Sequence, residues 1–195
     1  AMRNYPEWML SYWAIVSMGA TVVGMNAWWV GDEMRFGLED ADPKALIVDQ
    51  ERLATVSALG DALSGIHLIG VRLSTPEPGV TPWSEATDGT EPLPEVAIDT
   101  DSDACIFYTS GTTGRPKGAQ LTHRGCVSNV WSLLFSAAMQ RALAIKNGKM
   151  SESDEPPIPV TLVTTPLFHV TANNCVAQVA TIAGGKLVHM YKWDA

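Results

Sequence analysis

Tyr108-Thr109-Ser110-Gly111-Thr112-Thr113-Gly114-Arg115-Pro116-Lys117-Gly118 follows the apolar run Ala104-Cys105-Ile106-Phe107 without a break and leads into a second extended segment, Ala119-Gln120-Leu121-Thr122. These eleven residues hold three glycines, two cations and four Ser/Thr hydroxyls. Glycine lets a backbone turn sharply and bring its N–H groups close to a ligand. Successive N–H groups in such turns make an anion-binding concavity. Hydroxyls add small donors, and a lysine ammonium adds a point charge for phosphate oxygens. Strand, glycine-hydroxyl loop, Pro-Lys-Gly and second strand in that order predict a polyphosphate grip.

The spacing excludes the P-loop of nucleoside triphosphatases. That motif needs four residues between its glycines and then Lys-Ser/Thr opening a helix. Here two residues separate Gly111 and Gly114, and Lys117 precedes Gly118 and an extended segment.

Outward from the loop, the pattern alternates. Residues 6–18 read as a helix, with Pro6 at its start and Gly19 at its end. Residues 20–24 are a short β-branched run, 32–40 a helix stopped by Asp42-Pro43, 45–48 a strand, 51–59 a helix and 66–73 a strand. Residues 74–103, with five prolines and many acids, read as a long surface connection. Beyond the loop, 123–145 form a long helix with Val127, Val130, Leu133 and Leu134 facing inward. Residues 151–159 are an acidic, proline-rich loop, 160–164 a strand, 170–182 a helix and 186–190 a strand. This order predicts an α/β fold, with layered and largely parallel sheets flanked by helices. It divides into a first α/β segment (1–73), a connecting loop (74–103) and a segment carrying the loop (104–195).

Composition narrows the function. The 195 residues are 46% hydrophobic, and 13 Lys+Arg against 21 Asp+Glu give a net charge of −8. A chain with that charge repels phosphate backbones on average, so no nucleic-acid partner is expected, while a local anion site needs only a few donors. Cys105, Cys126 and Cys175 form no Cys-x-x-Cys pair and read as small buried hydrophobes of a reducing compartment. The uncharged stretch 8–31 is long enough for a membrane span. Its internal Ser, Gly, Thr and Asn residues split it into helix and strand instead, so no integral membrane span is expected. A cytoplasmic location follows, with a membrane-peripheral one as the alternative.

The run 108–118 resembles the signature loop of the adenylate-forming, AMP-binding enzyme superfamily, Tyr-Thr-Ser-Gly-Thr-Thr-Gly-x-Pro-Lys-Gly. Asn4-Tyr5-Pro6-Glu7-Trp8, with Gly19-Ala20 and Asn26, is similar to the early helix–strand segment of these enzymes. Pro166-Leu167-Phe168-His169, followed by Gly184-Gly185, is similar to their next core motif in the form carried by acyl-CoA synthetases. The resemblance covers essentially the whole chain and implies part of the N-terminal domain of a fatty acid–CoA ligase, for a medium or long chain. The alternatives are an aryl-acid or luciferase-like enzyme of the same superfamily, or a non-catalytic nucleotide-binding domain.

In that family a carboxylate attacks the α-phosphate of ATP, and coenzyme A then displaces AMP. The resemblance implies that Ser110, Thr112, Thr113 and Lys117 hold the β/γ-phosphates, while Gly111 and Gly114 let the loop close over them and Thr109 also belongs to the nucleotide-binding set. It makes Lys117 and His169 the catalytic residues, with His169 near the carboxylate and acyl pocket. The implied small molecules are ATP, Mg2+, coenzyme A and a fatty acid, with no metal ligand assigned in this chain. His123 reads as a helix-start residue, Arg115 as a solvated cation, and Trp131 and Phe135 as core. The family's later motifs for adenine, ribose and the C-terminal lysine are absent from these 195 residues. The chain by itself is therefore expected to be inactive, and apolar surface left uncovered makes a homo-oligomer plausible.

Overall fold

The computed structural model describes residues 1–110 and 114–190. Helix α1 (Pro6–Ser17) begins with proline in its first turn and ends where Gly19 takes φ +72°, a conformation open to glycine at no steric cost. Strand β1 (Val22–Gly24), helix α2 (Gly31–Ala41), strand β2 (Ala45–Asp49), helix α3 (Gln50–Ser57) and strand β3 (His67–Val71) follow. The Glu33 carboxylate accepts the Val30 N–H at the start of α2, and the Asp49 carboxylate caps α3 by accepting the Arg52 N–H. Both satisfy helix N-terminal donors that would otherwise lack partners.

The region expected to be a bare connection contains strand β4 (Val80–Pro82) and a one-turn helix, α4 (Trp83–Ala86). Pro82 closes the strand, at a sheet edge where a missing N–H is tolerated. Strand β5 (Asp103–Thr109) enters the glycine-hydroxyl loop, and strand β6 (Lys117–Thr122) leaves it. Helix α5 (His123–Lys146), strand β7 (Val160–Val163), helix α6 (Gln178–Ile182) and strand β8 (Lys186–His189) complete the order.

Among the described residues the strands form three sheets. β5 is central in the first, parallel to β1 (Gly24 opposite Phe107) and antiparallel to β6 (Tyr108 opposite Gly118). β2, β3 and β4 form a parallel second sheet, and β7 and β8 a parallel pair. The α/β class with largely parallel sheets is thus observed. One core gathers Trp8, Tyr12, Phe107, Leu167 and Phe168; another packs α2 and α3 on the second sheet through Met34, Leu38, Val48 and Val56. Complete burial of a side chain such as Met34 stabilises the fold by roughly 1.5–3 kcal/mol.

Four expectations need correction. The 170–182 segment is not a plain α-helix: Thr171–Ala177 winds as a π-helix before α6 begins. Cys105 and Cys126 are buried free thiols with sulfurs 3.8 Å apart, but Cys175 is exposed. Val127 is exposed rather than inward, and Trp131 and Phe135 are 68% exposed rather than core. α5 is apolar on both sides, and only its Cys126/Val130 side meets the body of the domain. Among the described residues, no helix is long and apolar enough to cross a membrane.

Candidate functional site

The loop leaves the C-terminal end of β5, the end at which open α/β sheets bind ligands. Thr109 and Lys117 are the last cross-strand pair of the hairpin, with the Thr109 hydroxyl 3.5 Å from the Lys117 carbonyl oxygen. Thr109, Ser110, Gly114 and Lys117 are all exposed. Gly114 has φ +85° with nothing within 4 Å of where a Cβ would stand, so its backbone conformation, and not space, calls for glycine. Gly111, Thr112 and Thr113 lie outside the described residues. Arg115 is exposed as expected, with its guanidinium 5.7 Å from the centre of the Phe36 ring.

The base of the hairpin is held from below. The Tyr108 hydroxyl donates to Asp40 Oδ2 at 2.6 Å, and the ring meets Trp29 edge-on at 5.1 Å. Burial, and then the bond and charge of Asp40, push the Tyr108 hydroxyl above its ordinary range, so it stays protonated as a donor.

The Pro-Leu-Phe-His turn reaches the same end of the first sheet. A Cβ on Gly24 would stand 2.7 Å from the Phe107 ring and 3.3 Å from the Phe168 carbonyl oxygen. The close approach brings the last residue of β1, the strand feeding the hairpin and the residue before His169 together. Phe168 is buried and meets Trp28 edge-on at 5.1 Å. His169 is exposed; its amide donates to the Pro166 carbonyl, and its Nδ1 accepts the Thr171 N–H at 3.4 Å. That leaves Nε2 to carry the proton in the neutral ring. The carbonyl of His169 accepts the Asn173 N–H, which ties the turn to the π-helix. π-helical turns recur at functional sites.

Three contributors lay outside the sequence reading of the site. Asn4 accepts the Leu167 N–H and donates to the Thr165 carbonyl, bracketing Pro166. Trp28 covers Phe168, and Asp40 holds Tyr108. Asn4 sat in a quoted motif, but Asp40 had no signal beyond its place on a helix.

A cavity of about 510 Å3 lies between α1, β1, α2 and β2, lined by Trp8, Tyr12, Val22, Leu38, Leu46 and Ile106 among others. Neither Lys117 nor His169 lines it, so the candidate site is an open end of a sheet and not this cavity. No group of three or more His, Cys, Asp or Glu among the described residues could hold a metal ion.

Residues 1–195 match the family model described as AMP-binding enzyme. Among curated relatives, 4-coumarate-CoA ligase 1 of Narcissus pseudonarcissus is 31% identical over 195 residues, covering 99% of this chain and 33% of its own length. Indoleacetate–CoA ligase of Aromatoleum aromaticum is 31% identical over 196 residues, covering 98% of this chain and 34% of its own. The chain thus spans about a third of the length of the curated relatives it matches. Among solved structures, the anthranilate CoA ligase AuaEII with anthranoyl-AMP superposes at TM-score 0.75 with 22% identity, over 98% of this chain and 34% of that one. The N-terminal domain of FACL13 from Mycobacterium tuberculosis does so at 0.72 with 22% identity, over 99% and 43%. Hairpin, Pro-Leu-Phe-His turn and a family match over every residue agree: the chain belongs to the AMP-binding enzyme family.

Proposed function

We propose that this chain forms part of an ATP-dependent, AMP-forming acid–thiol ligase and supplies the element that grips the nucleotide's triphosphate. The observation that carries the reading is the exposed hairpin at the end of β5, with Lys117 facing Thr109 across its mouth. In the first step a carboxylate oxygen attacks the α-phosphorus of ATP and pyrophosphate leaves. In the second the coenzyme A sulfur attacks the acyl carbonyl and AMP leaves. One anion approaching a polyanion makes the first step electrostatically hard. Preorganised donors on the departing pyrophosphate lower that barrier, and this is the work of the Lys117 ammonium with the Thr109 and Ser110 hydroxyls. The described residues offer no cage for magnesium; the ion would travel on the phosphate oxygens, which it bridges in ATP chemistry generally. His169 orients the acid through Nε2–H, its ring fixed by the Thr171 amide.

The acid class has two readings. A medium- or long-chain fatty acid is what the resemblance to acyl-CoA synthetases implies. The relatives favour an aryl-bearing acid, since 4-coumarate and indoleacetate are named for the ligases of Narcissus and Aromatoleum.

Calorimetric titration of the chain with tripolyphosphate and with MgATP tests the grip. Lys117→Ala is expected to weaken both about tenfold or more, while His169→Ala leaves them unchanged. Equal affinity in wild type and Lys117→Ala overturns the reading. Saturation-transfer NMR with palmitate and 4-coumarate then ranks the two acids, and His169→Ala is expected to lower the signal of the preferred one.

A further inference from the structure

Helix α2 carries two side chains that no part of the nucleotide reading uses, and both reach the hairpin. Asp40 takes the Tyr108 hydroxyl at 2.6 Å on the incoming side, and the Phe36 ring lies under the Arg115 guanidinium on the outgoing side. Residues four apart on an α-helix share a face, so one face of α2 touches the chain both before and after the turn. The hairpin is shaped to allow this. Tyr108 stands opposite Gly118, where an added Cβ would come within 2.9 Å of Ile106 and 3.6 Å of the Tyr108 ring. Glycine there leaves room for the Ile106 methyl, and the Tyr108 ring packs beside it at ordinary contact distance.

The helix itself cannot drift. Met34 and Leu38 are buried on its inner side, and Arg35 is tied to Asp61 and to the Leu59 carbonyl. Gly37 lets Trp29 and Met25 press on its backbone: a Cβ there would stand 2.5 Å from the Trp29 ring and 2.6 Å from the Met25 methyl. Trp29 in turn meets Tyr108. Short hydrogen bonds from a hydroxyl to an ionised carboxylate are among the stronger ones, whereas a cation over an aromatic ring is worth less at an exposed site.

We infer that the Phe36/Asp40 face of α2 is a clamp that sets the position of the phosphate-binding hairpin, with Asp40 and Phe36 as positioning residues acting through Tyr108 and Arg115. The inference rests on reading 109–118 as the phosphate grip. A loop held at both ends loses less conformational freedom when its ligand arrives, so the clamp adds affinity without touching phosphate. It also gives a carboxylate a reason to stand near an anion site: Asp40 is turned to the tyrosine hydroxyl, which it accepts at 2.6 Å.

Two readouts on the whole chain test it: tripolyphosphate affinity by calorimetry, and amide hydrogen exchange over residues 114–119 without ligand. Asp40→Ala and Tyr108→Phe are each expected to weaken binding about three- to tenfold and to speed exchange by a similar factor. The double variant should be no worse than the poorer single, because both remove one bond. Asp40→Asn keeps an acceptor but gives up the charge of the bond, and should fall between wild type and Asp40→Ala; Phe36→Leu should cost less than about threefold. If Asp40→Ala does not fold, as judged by circular dichroism, Tyr108→Phe carries the test alone. Unchanged exchange and affinity in Tyr108→Phe, or losses that multiply in a folded double variant, overturn the clamp. Failure of the grip itself shows separately, as tripolyphosphate binding that survives Lys117→Ala. The exchange rates then decide the clamp, supporting it if Tyr108→Phe speeds them and ending it if not.

Discussion

Asn4 brackets the turn that presents His169: its Oδ1 accepts the Leu167 N–H at 2.8 Å while its Nδ2 donates to the Thr165 carbonyl at 2.9 Å. Residues 163 positions apart in the sequence thereby fix one peptide turn. The bonds satisfy backbone groups on both sides of Pro166, which has no N–H of its own to offer.

Asn4→Ala is expected to destabilise the chain by about 1–3 kcal/mol, because the Leu167 amide and Thr165 carbonyl lose their partners together. Asn4→Asp keeps the acceptor for Leu167 but sets a carboxylate oxygen against the Thr165 carbonyl oxygen, so it should not recover the loss. Urea unfolding of the three proteins gives the order, and equal midpoints would refute it.

Gly24→Ala should cost about 1–3 kcal/mol. The new methyl would meet the Phe107 ring at 2.7 Å and the Phe168 carbonyl at 3.3 Å, and Phe107 is too well buried to move freely. Thermal unfolding checks the loss, and a variant as stable as wild type would show that the ring yields.

Asp49→Ala is expected to be the most damaging single change, at about 3–5 kcal/mol. Asp49 is 2% exposed and Arg52 7%; the carboxylate accepts Arg52 Nη1, the Arg52 N–H and the Arg3 N–H, while Arg52 Nε donates to the Ala27 carbonyl. Removing the acid leaves the buried guanidinium with the half-exposed Glu51 carboxylate, 2.8 Å from its Nη2, as the remaining counter-charge, and leaves α3 without its cap. Asp49→Leu combined with Arg52→Met should recover part of the loss, as denaturant titration would show.

Acid should weaken the fold in two windows. Burial lowers the His189 ring below its ordinary value of 6.5. The folded state favours the neutral ring, so this stability is complete above that value and is lost as pH falls through the folded pKa. Burial alone would raise Glu7, but hydrogen bonding from Arg72, the next largest effect, leaves it below its ordinary 4.5. Its contribution is present above 4.5 and disappears as pH falls through the lowered value. Unfolding free energy measured from neutral to strongly acidic pH should slope down across both windows. His189→Gln should flatten the upper window and Glu7→Gln should weaken the lower one, each also shifting the other, because the Glu7 charge raises the His189 ring and the His189 charge lowers Glu7.

The hairpin, the alternation of helix and strand, and the family were legible in the residues because their causes are local. Glycine spacing, proline and short apolar runs act over a few positions. The same locality explains the misses. α5 offers apolar side chains all round, so periodicity could not tell that Val130 is buried while Trp131 and Phe135 face outward. The strand at Val80–Pro82 exists because β3 offers an edge to pair with, which no property of residues 80–82 announces. The π-helical turn after His169 carries a buried Asn173 that accepts the Trp8 indole N–H at 3.1 Å, a partner 165 residues away.

Sequence by itself therefore determined which residues make up the candidate site: a strand, a glycine-hydroxyl loop and a lysine, on an α/β chain. Only the tertiary structure decided what holds that chemistry in place, namely Asn4 on the Pro166 turn and Asp40 under Tyr108. Turn geometry is set by neighbours along the chain, whereas a hydrogen bond across 68 residues forms only after the helices and sheets have packed.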